Sequence, residues 1–264
     1  MNTPMKKYYL LSEEKLNAMI DREVLERAEE IRREYEESLL LKQTSLAALQ
    51  AQINPHFLYN ALECIRGQAA IEGSDRIVSI AKALSNFFRY SINSKNDVVS
   101  LKDELKHIEN YMVIQNFRFP NRFTVDIQDN GCEEYLQLIR LPKLIFQPIM
   151  ENAVVHGLQD VLVGARITIK LEKTGEQMLI TISDNGCGMD GDQLTAISSR
   201  IHGGDISPAG EVGTAHTGIA LENVNKRLKL FFGEQYGINV YSCKDIGTDV
   251  ELFIPIRSSE EYYA

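Results

Sequence analysis

Nowhere in this chain do two cysteines stand close enough to form a CxxC pair: Cys64, Cys132, Cys187 and Cys243 are scattered. A zinc site and a disulfide framework are therefore not expected, and a reducing, cytoplasmic setting is. No uninterrupted apolar run approaches the roughly 18–20 residues of a membrane span, and the opening stretch MNTPMKKYYLLSEEK has no signal-peptide core. The expectation is a soluble chain, attached to a membrane only through a sensor part outside this sequence. Positive charge is in deficit, with 28 Lys and Arg against 37 Asp and Glu and a net charge of -9. Such a chain repels a phosphate backbone, and no segregated basic patch offsets that, so direct nucleic-acid binding is disfavoured. At 264 residues, 44% hydrophobic and 25% charged, it falls in the globular range and has length for one large domain or two modest ones.

Three textures follow one another. From Leu10 to Ile53, apolar positions such as Leu16, Ile20, Val24, Ile31, Tyr35, Leu39, Leu46 and Leu49 recur at steps of three and four within charge-dense runs. A narrow seam on so long a helix implies a partner helix, most simply from a second copy, and so a coiled-coil homodimer. Helical blocks from Pro55 to Ala70 and Asp75 to Ser91, separated by the turn EGSD, read as a hairpin. A further helix is N-capped by Ser100, with Asp103 or Glu104 in its first turn, and stops near Phe119-Pro120. Beyond Arg122 strands and helices alternate: RFTVDIQ is a strand, LPKLIFQPIMENAVVHGL a helix, and ARITIKLEKTGEQMLITISDNG two strands joined at Thr174-Gly175. The glycine-rich stretch 200–216 reads as a flexible segment leading to a helix with Thr217 as its N-cap. The expected class is α+β, divided into 1–54, 55–120 and 121–264.

Four stretches of the last part can carry chemistry. SDNGCGMD (183–190) has turn composition, yet a helical pattern follows it instead of a second strand, and glycines at 186 and 188 admit close approach to the backbone. In PIMENAVVHG, Asn152 and His156 are four apart on one helical face, with Glu151 beside it. Oxygen donors of this kind suit Mg²⁺ bridging phosphates, although a solvated polar face accounts for them too. AHTGIALENVNKRL (215–228) runs from the glycine-rich stretch into a helix, where free N–H groups attract phosphate. GTDVELFIP brings Gly247 and Thr248 into the final strand.

Together these stretches resemble the N box (ENAVVHG), G1 box (DNGCGM), G2 box (GIALEN) and final GT strand of the GHKL ATPase fold, shared by histidine kinases and gyrase-type ATPases. LQAQINPHFLYN and LKDELKHIENYMVIQNFRF before them are similar to sensor histidine kinases of the LytS/YesM type, so the resemblance extends over about 45–256. It implies a dimerising helical region followed by a Bergerat α/β sandwich that binds ATP and Mg²⁺. Asp184 is then expected to accept from the adenine amino group, Gly186 and Gly188 to let base and loop approach, and Met189 to lie near the base. Asn152 is expected to hold Mg²⁺, Glu151 to polarise or position, and His156 to lie near the nucleotide. Thr217 and Gly218 are expected at the triphosphate end, and Thr248 behind Asp184. Ala220 departs from the usual GIGL, which implies a stiffer lid and slower turnover, since alanine favours helix over glycine by about 1 kcal/mol.

The same resemblance makes His56 the phosphoacceptor. A neutral imidazole nitrogen can attack phosphorus in line and later pass the phosphoryl group to an aspartate of a response regulator receiver domain. Asn54 as N-cap and Pro55 at the first helical position explain the helix break without chemistry, but they also place His56 beside free N–H groups. The expected function is a homodimeric histidine autokinase acting as the transmitter of a two-component system. A weakly active ATP-binding regulator or phosphatase of the same system is the alternative, and a gyrase-class ATP hydrolase comes third. His107, on a charged helix, is expected at the surface, and His202 and His216 in solvent.

Overall fold

The computed structural model describes residues 55–92, 97–203 and 212–256, with Arg27 and Arg32 besides, and omits the side chains of 212–217. The seam of 10–53, its coiled coil and the capping role of Asn54 lie outside the described residues. Helix α1 (Pro55–Ile71) begins at the proline of QINPHFLYN. Proline is preset for a first helical position, where its missing N–H costs nothing, so the break in the pattern is a helix start. The chain turns at Gly73, with φ of 70°, into α2 (Asp75–Ile92). Tyr59 Oη donates to the Phe88 carbonyl at 3.3 Å across the hairpin. Among the described residues helix α1 buries only Leu62 and Ala69 and leaves Ile65 51% and Ile71 83% exposed.

Strand β1 (Val98–Ser100) leads into α3 (Leu101–Arg118). As its sequence indicates, Ser100 caps α3: its Oγ accepts from the Asp103 N–H at 3.1 Å, and the Asp103 carboxylate accepts from the Ser100 N–H at 3.1 Å. After β2 (Phe123–Gln128) comes a short helix, α4 (Tyr135–Leu138). The segment read as one long helix from Leu141 instead opens with β3 (Arg140–Pro142), which pairs antiparallel with β1. Only then does α5 (Phe146–Asn152) form, continued by a π-helical turn at Ala153–Gly157. Pro148 is compatible with it because the first helical turn needs no internal N–H bonds.

Strands β4 (Ala165–Thr174) and β5 (Gln177–Asp184) form the expected hairpin. They are followed by α6 (Gly191–Ile201), α7 (Val212–Phe232), β6 (Gly237–Cys243) and β7 (Gly247–Pro255). The five-stranded sheet has the order β2-β4-β5-β7-β6, antiparallel except for β2 and β4. A parallel pair needs a crossover, and this crossover carries α5 onto one face of the sheet. Alternation fills that face with Ile167, Ile169 and Leu171 of β4, Met178, Ile180 and Ile182 of β5, and Val250, Leu252 and Ile254 of β7. Each such side chain stabilises the fold by about 1.5–3 kcal/mol, and the opposite face is partly solvated, so the architecture is a two-layer α+β sandwich.

One carboxylate joins these layers. Glu104, with no exposed surface, reaches from α3 to accept the N–H groups of Leu144 at 2.6 Å, Ile145 at 2.9 Å and Phe146 at 3.0 Å, and the hydroxyl of Tyr90 on α2 donates to it as well. It supplies α5 with the cap its own flanking residues lack. Glu104→Ala is expected to cost about 3 kcal/mol or more in urea unfolding, because three buried donors lose their acceptor. A loss below about 1 kcal/mol would show that water replaces the carboxylate there.

Candidate functional site

Alternation along β5 turns Asp184, its last residue, to the same side as Ile180 and Ile182. A carboxylate thus ends a row of core side chains, in register with Ile167 on one neighbour and Thr248 on the other. Burial pushes its pKa up to about 6. The N–H groups of Gly186, 2.9 Å from Oδ1, and of Thr248 pull the other way, and the negative charge of Asp249 adds to the rise.

The loop after Asp184 is sewn to the end of the π-helical turn. Cys187 N–H donates to the Gly157 carbonyl at 2.9 Å, and a Cβ at position 186 would stand 2.1 Å from that same oxygen. Gly186 is therefore required by contact between two backbones, a use distinct from admitting a ligand. Gly188 has φ of 62°, which glycine adopts without strain, and its backbone lies against the Cys243 carbonyl. Met189 N–H donates to Ser242 Oγ at 2.9 Å, and Ser242 Oγ lies 2.9 Å from Thr248 Oγ1, which ties the loop to the β6–β7 end. Asp190 then caps α6 with Gln193 as the reciprocal partner, so a helix does follow the turn, as its sequence indicates.

These elements enclose a cavity of about 290 Å³. Of the expected site residues, Asn152, His156, Asp184, Gly188, Met189 and Thr248 line it, joined by Ile149, Ile182, Leu221 and Val250 as apolar wall. Asn152 and His156 reach the same space although a π turn separates them; the Leu158 N–H to Ala153 carbonyl bond, 2.8 Å, closes the wider turn. Asn152 Nδ2 is buried with no hydrogen-bond partner, the state of an amide facing a space built for a polar ligand. From just before β2, Arg122 donates to the Leu158 carbonyl at 2.7 Å and the Val161 carbonyl at 3.1 Å, holding the end of this segment.

Other expected residues fall elsewhere. Gly186 sits beneath Asp184, outside the lining. Glu151 accepts from Gln147 Nε2 at 2.7 Å and does not line the cavity. Helix α7 starts at Val212, so Thr217 is an interior helical position and not an N-cap, and its side chain lies outside the described residues with that of His216. Gly218 is also inside α7, where a Cβ would stand 2.7 Å from Arg200 Nη1 of α6. Ala220 lies in the same helix interior, a position that suits alanine. His202 is exposed. His107 is corrected: it is 2% exposed, because the α2 rings cover the face of α3 that carries it. His56 is exposed in the first turn of α1, with the Asn60 amide 3.2 Å from its Nδ1. Asn60 went unread, although four-residue spacing on a helix would have paired it with His56. Gln147 and Gln193 were likewise missed, since nothing in a glutamine's sequence position marks its partner.

Residues 44–123 match the family model described as histidine kinase, and residues 137–258 the one described as histidine kinase-, DNA gyrase B- and HSP90-like ATPase. The chain is 37% identical to sensor histidine kinase YesM of Bacillus subtilis over 84% of this chain and 35% of that protein. It is 33% identical to sensor protein LytS of Staphylococcus haemolyticus over 85% of this chain and 36% of that protein. It thus spans about a third of the length of the curated relatives it matches. Among solved structures, the histidine kinase domain of the Erythrobacter litoralis EL346 blue-light activated histidine kinase is similar over 83% of this chain and 93% of that one, at 17% identity and a TM-score of 0.43.

The raised pKa of Asp184 has a measurable sign. Folding favours its uncharged form, so its contribution to stability is full below the ordinary value of 3.8 and is lost as pH rises through about 6. Ionisation above that pH costs the ligand-free fold up to about 3 kcal/mol. The melting temperature of Asp184→Asn relative to wild type is therefore expected to improve between pH 5 and pH 8. A difference that stays constant across that range would mean that the carboxylate is ionised throughout.

Proposed function

This chain belongs to the histidine kinase family, and on that premise we propose that it is the transmitter part of a two-component sensor kinase, phosphorylating His56 from ATP and passing the phosphoryl group to an aspartate of a response regulator. The observation that supports this most is the combination of a cavity ended by the buried Asp184 with an exposed histidine opening a helical hairpin. We divide the work among 1–54 as signalling helix, 55–120 as dimerisation and phosphoacceptor region, and 121–264 as catalytic domain. The exposed Ile65 and Ile71 of α1 support a homodimer. A cytoplasmic location follows from the reaction, which consumes ATP and addresses an intracellular receiver; among the described residues no helix is long and apolar enough to cross a membrane.

In this reading ionised Asp184 accepts a hydrogen bond from the adenine amino group, Thr248 backs it, and Met189 packs near the ring. Asn152 would hold Mg²⁺ at the phosphates through its Oδ1, and its unpartnered Nδ2–H would donate to a phosphate oxygen. A lone amide oxygen fits a cation whose other ligands are phosphate oxygens and water, and among the described residues no cluster of three or more His, Cys, Asp or Glu offers an all-protein cage. When bound, the ion supplies neutralisation of phosphate charge. Gly218 and Thr217, on α7, are proposed for the triphosphate end. At His56, the Asn60 amide nitrogen lies 3.2 Å from Nδ1 and holds the ring there, which leaves Nε2 as the nitrogen free to attack. For attack the amide must turn over, so that its oxygen accepts the Nδ1 proton and the Nε2 lone pair is free. An N–P bond forms as the bond from the γ-phosphorus to the ADP oxygen breaks.

Incubation with labelled Mg-ATP is expected to leave acid-labile phosphate on the chain, and none on His56→Gln. Asn60→Leu should slow labelling about tenfold with nucleotide affinity unchanged, as expected of a group that only orients the nucleophile. Equal labelling of His56→Gln would remove the assignment. ATP consumption without phosphoprotein would turn the reading to a hydrolase.

A further inference from the structure

Gln147 and Glu151 lie one turn apart on α5, on the side that meets α3. A carboxylate can only accept, so the bond from Gln147 Nε2 to Glu151 fixes the amide, with its nitrogen toward Glu151 and its oxygen toward His107 Nε2, 2.7 Å away. His107 must then donate through Nε2–H, as the neutral Nε2–H tautomer does. Burial lowers its pKa and favours that form, and its Nδ1 is buried without a partner. The ring stacks on Phe87 at 4.7 Å and on Tyr90 at 4.3 Å, both from α2. An unbroken line of contact thus runs from the hairpin through α3 to the residue before Asn152.

Helix α5 is short, and one residue of rotation along it is about 100°, which is what separates Glu151 on the α3 side from Asn152 on the cavity side. The cap from Glu104 fixes where α5 begins and the buried Phe146, Ile149 and Met150 hold its core side, so the Gln147–Glu151 pair is the polar contact that sets its last turn against α3. We propose that His107 and Gln147 are positioning residues for the nucleotide site: through Glu151 they lock the rotation of α5 so that Asn152 faces the cavity, and they make that setting depend on where α2 lies. Glu151 acts in this strut and not as a group touching the nucleotide. The inference rests on nucleotide binding in this cavity and not on the identity of the phosphoacceptor.

The test measures the Kd of a fluorescent ADP analogue for the full chain carrying Gln147→Met, His107→Phe or both. His107→Phe keeps the stacked ring and loses the donor. Each single change is expected to weaken binding about fivefold, the equivalent of one net hydrogen bond, and the pair no more than either alone, since each breaks the same line. Glu151→Ala, at a half-buried position, should give the same loss and serves if His107→Phe does not fold. Unchanged Kd in the single variants, or losses that multiply to about 25-fold in the pair, would overturn the proposal. A role in fold stability alone would lower the melting temperature and leave the Kd of the folded protein untouched, which also overturns it. Wild type that binds the analogue but takes up no phosphate would remove the kinase reading and leave this one standing.

Discussion

The arrangement depends first on a carboxyl group kept out of water. Glu104 has no exposed surface, and such a group is tolerable there only because three backbone N–H groups and a phenol converge on it. Those donors come from the start of α5 and from α2, while the carboxylate comes from α3. A short helix that cannot cap itself is thereby anchored to the helical layer before it contributes any residue to the cavity. The hairpin and the sheet domain share this junction, so neither can shift against α5 without exposing a buried carboxyl group or orphaning its donors.

At the other end of α5 the constraint is steric. Backbone meets backbone where the Asp184 loop crosses Gly157, and the Gly247 backbone runs against the carbonyl of Asp184, where a Cβ would stand 1.9 Å away. These contacts are too close for any side chain larger than hydrogen, so the glycines of the motifs act mostly on the protein itself. By closing strand ends onto the helix end they bury Asp184 far enough to raise its pKa while leaving its oxygens beside a cavity.

Much of this was legible in the residues. Period-two alternation in β4, β5 and β7 placed Asp184 on the core face, and Ser100, Pro55 and the Asp190 turn announced their helices. What stayed hidden depended on contacts distant in sequence. His107 sits among charged neighbours on α3, a surface signature, and only the aromatic pair of α2 buries it. Glu104 reads as an ordinary first-turn acid for its own helix, yet caps a different one about 40 residues on. Leu141 and Pro142 were absorbed into a helical pattern because strand β3 is fixed by its partner β1 and not by its own periodicity. Thr217 looked like a cap because the glycine-rich stretch before it suggested a loop, whereas the helix already runs from Val212.

Charge decides what the cavity can and cannot do alone. Its described lining has one carboxylate, two amides (Asn152 and Gln193) and one imidazole but no lysine or arginine, in a chain of net charge -9. A wall of this kind can read the edge of a base through Asp184, since one hydrogen bond to a carboxylate needs little room and no counter-charge. None of these described groups carries the positive charge that a triphosphate calls for. On the proposed reading a neutralising cation would arrive with the nucleotide and meet the Asn152 amide oxygen on this side of the cavity. Affinity for the phosphate end would then depend on where that amide points, and hence on the setting of α5 proposed for Gln147 and His107.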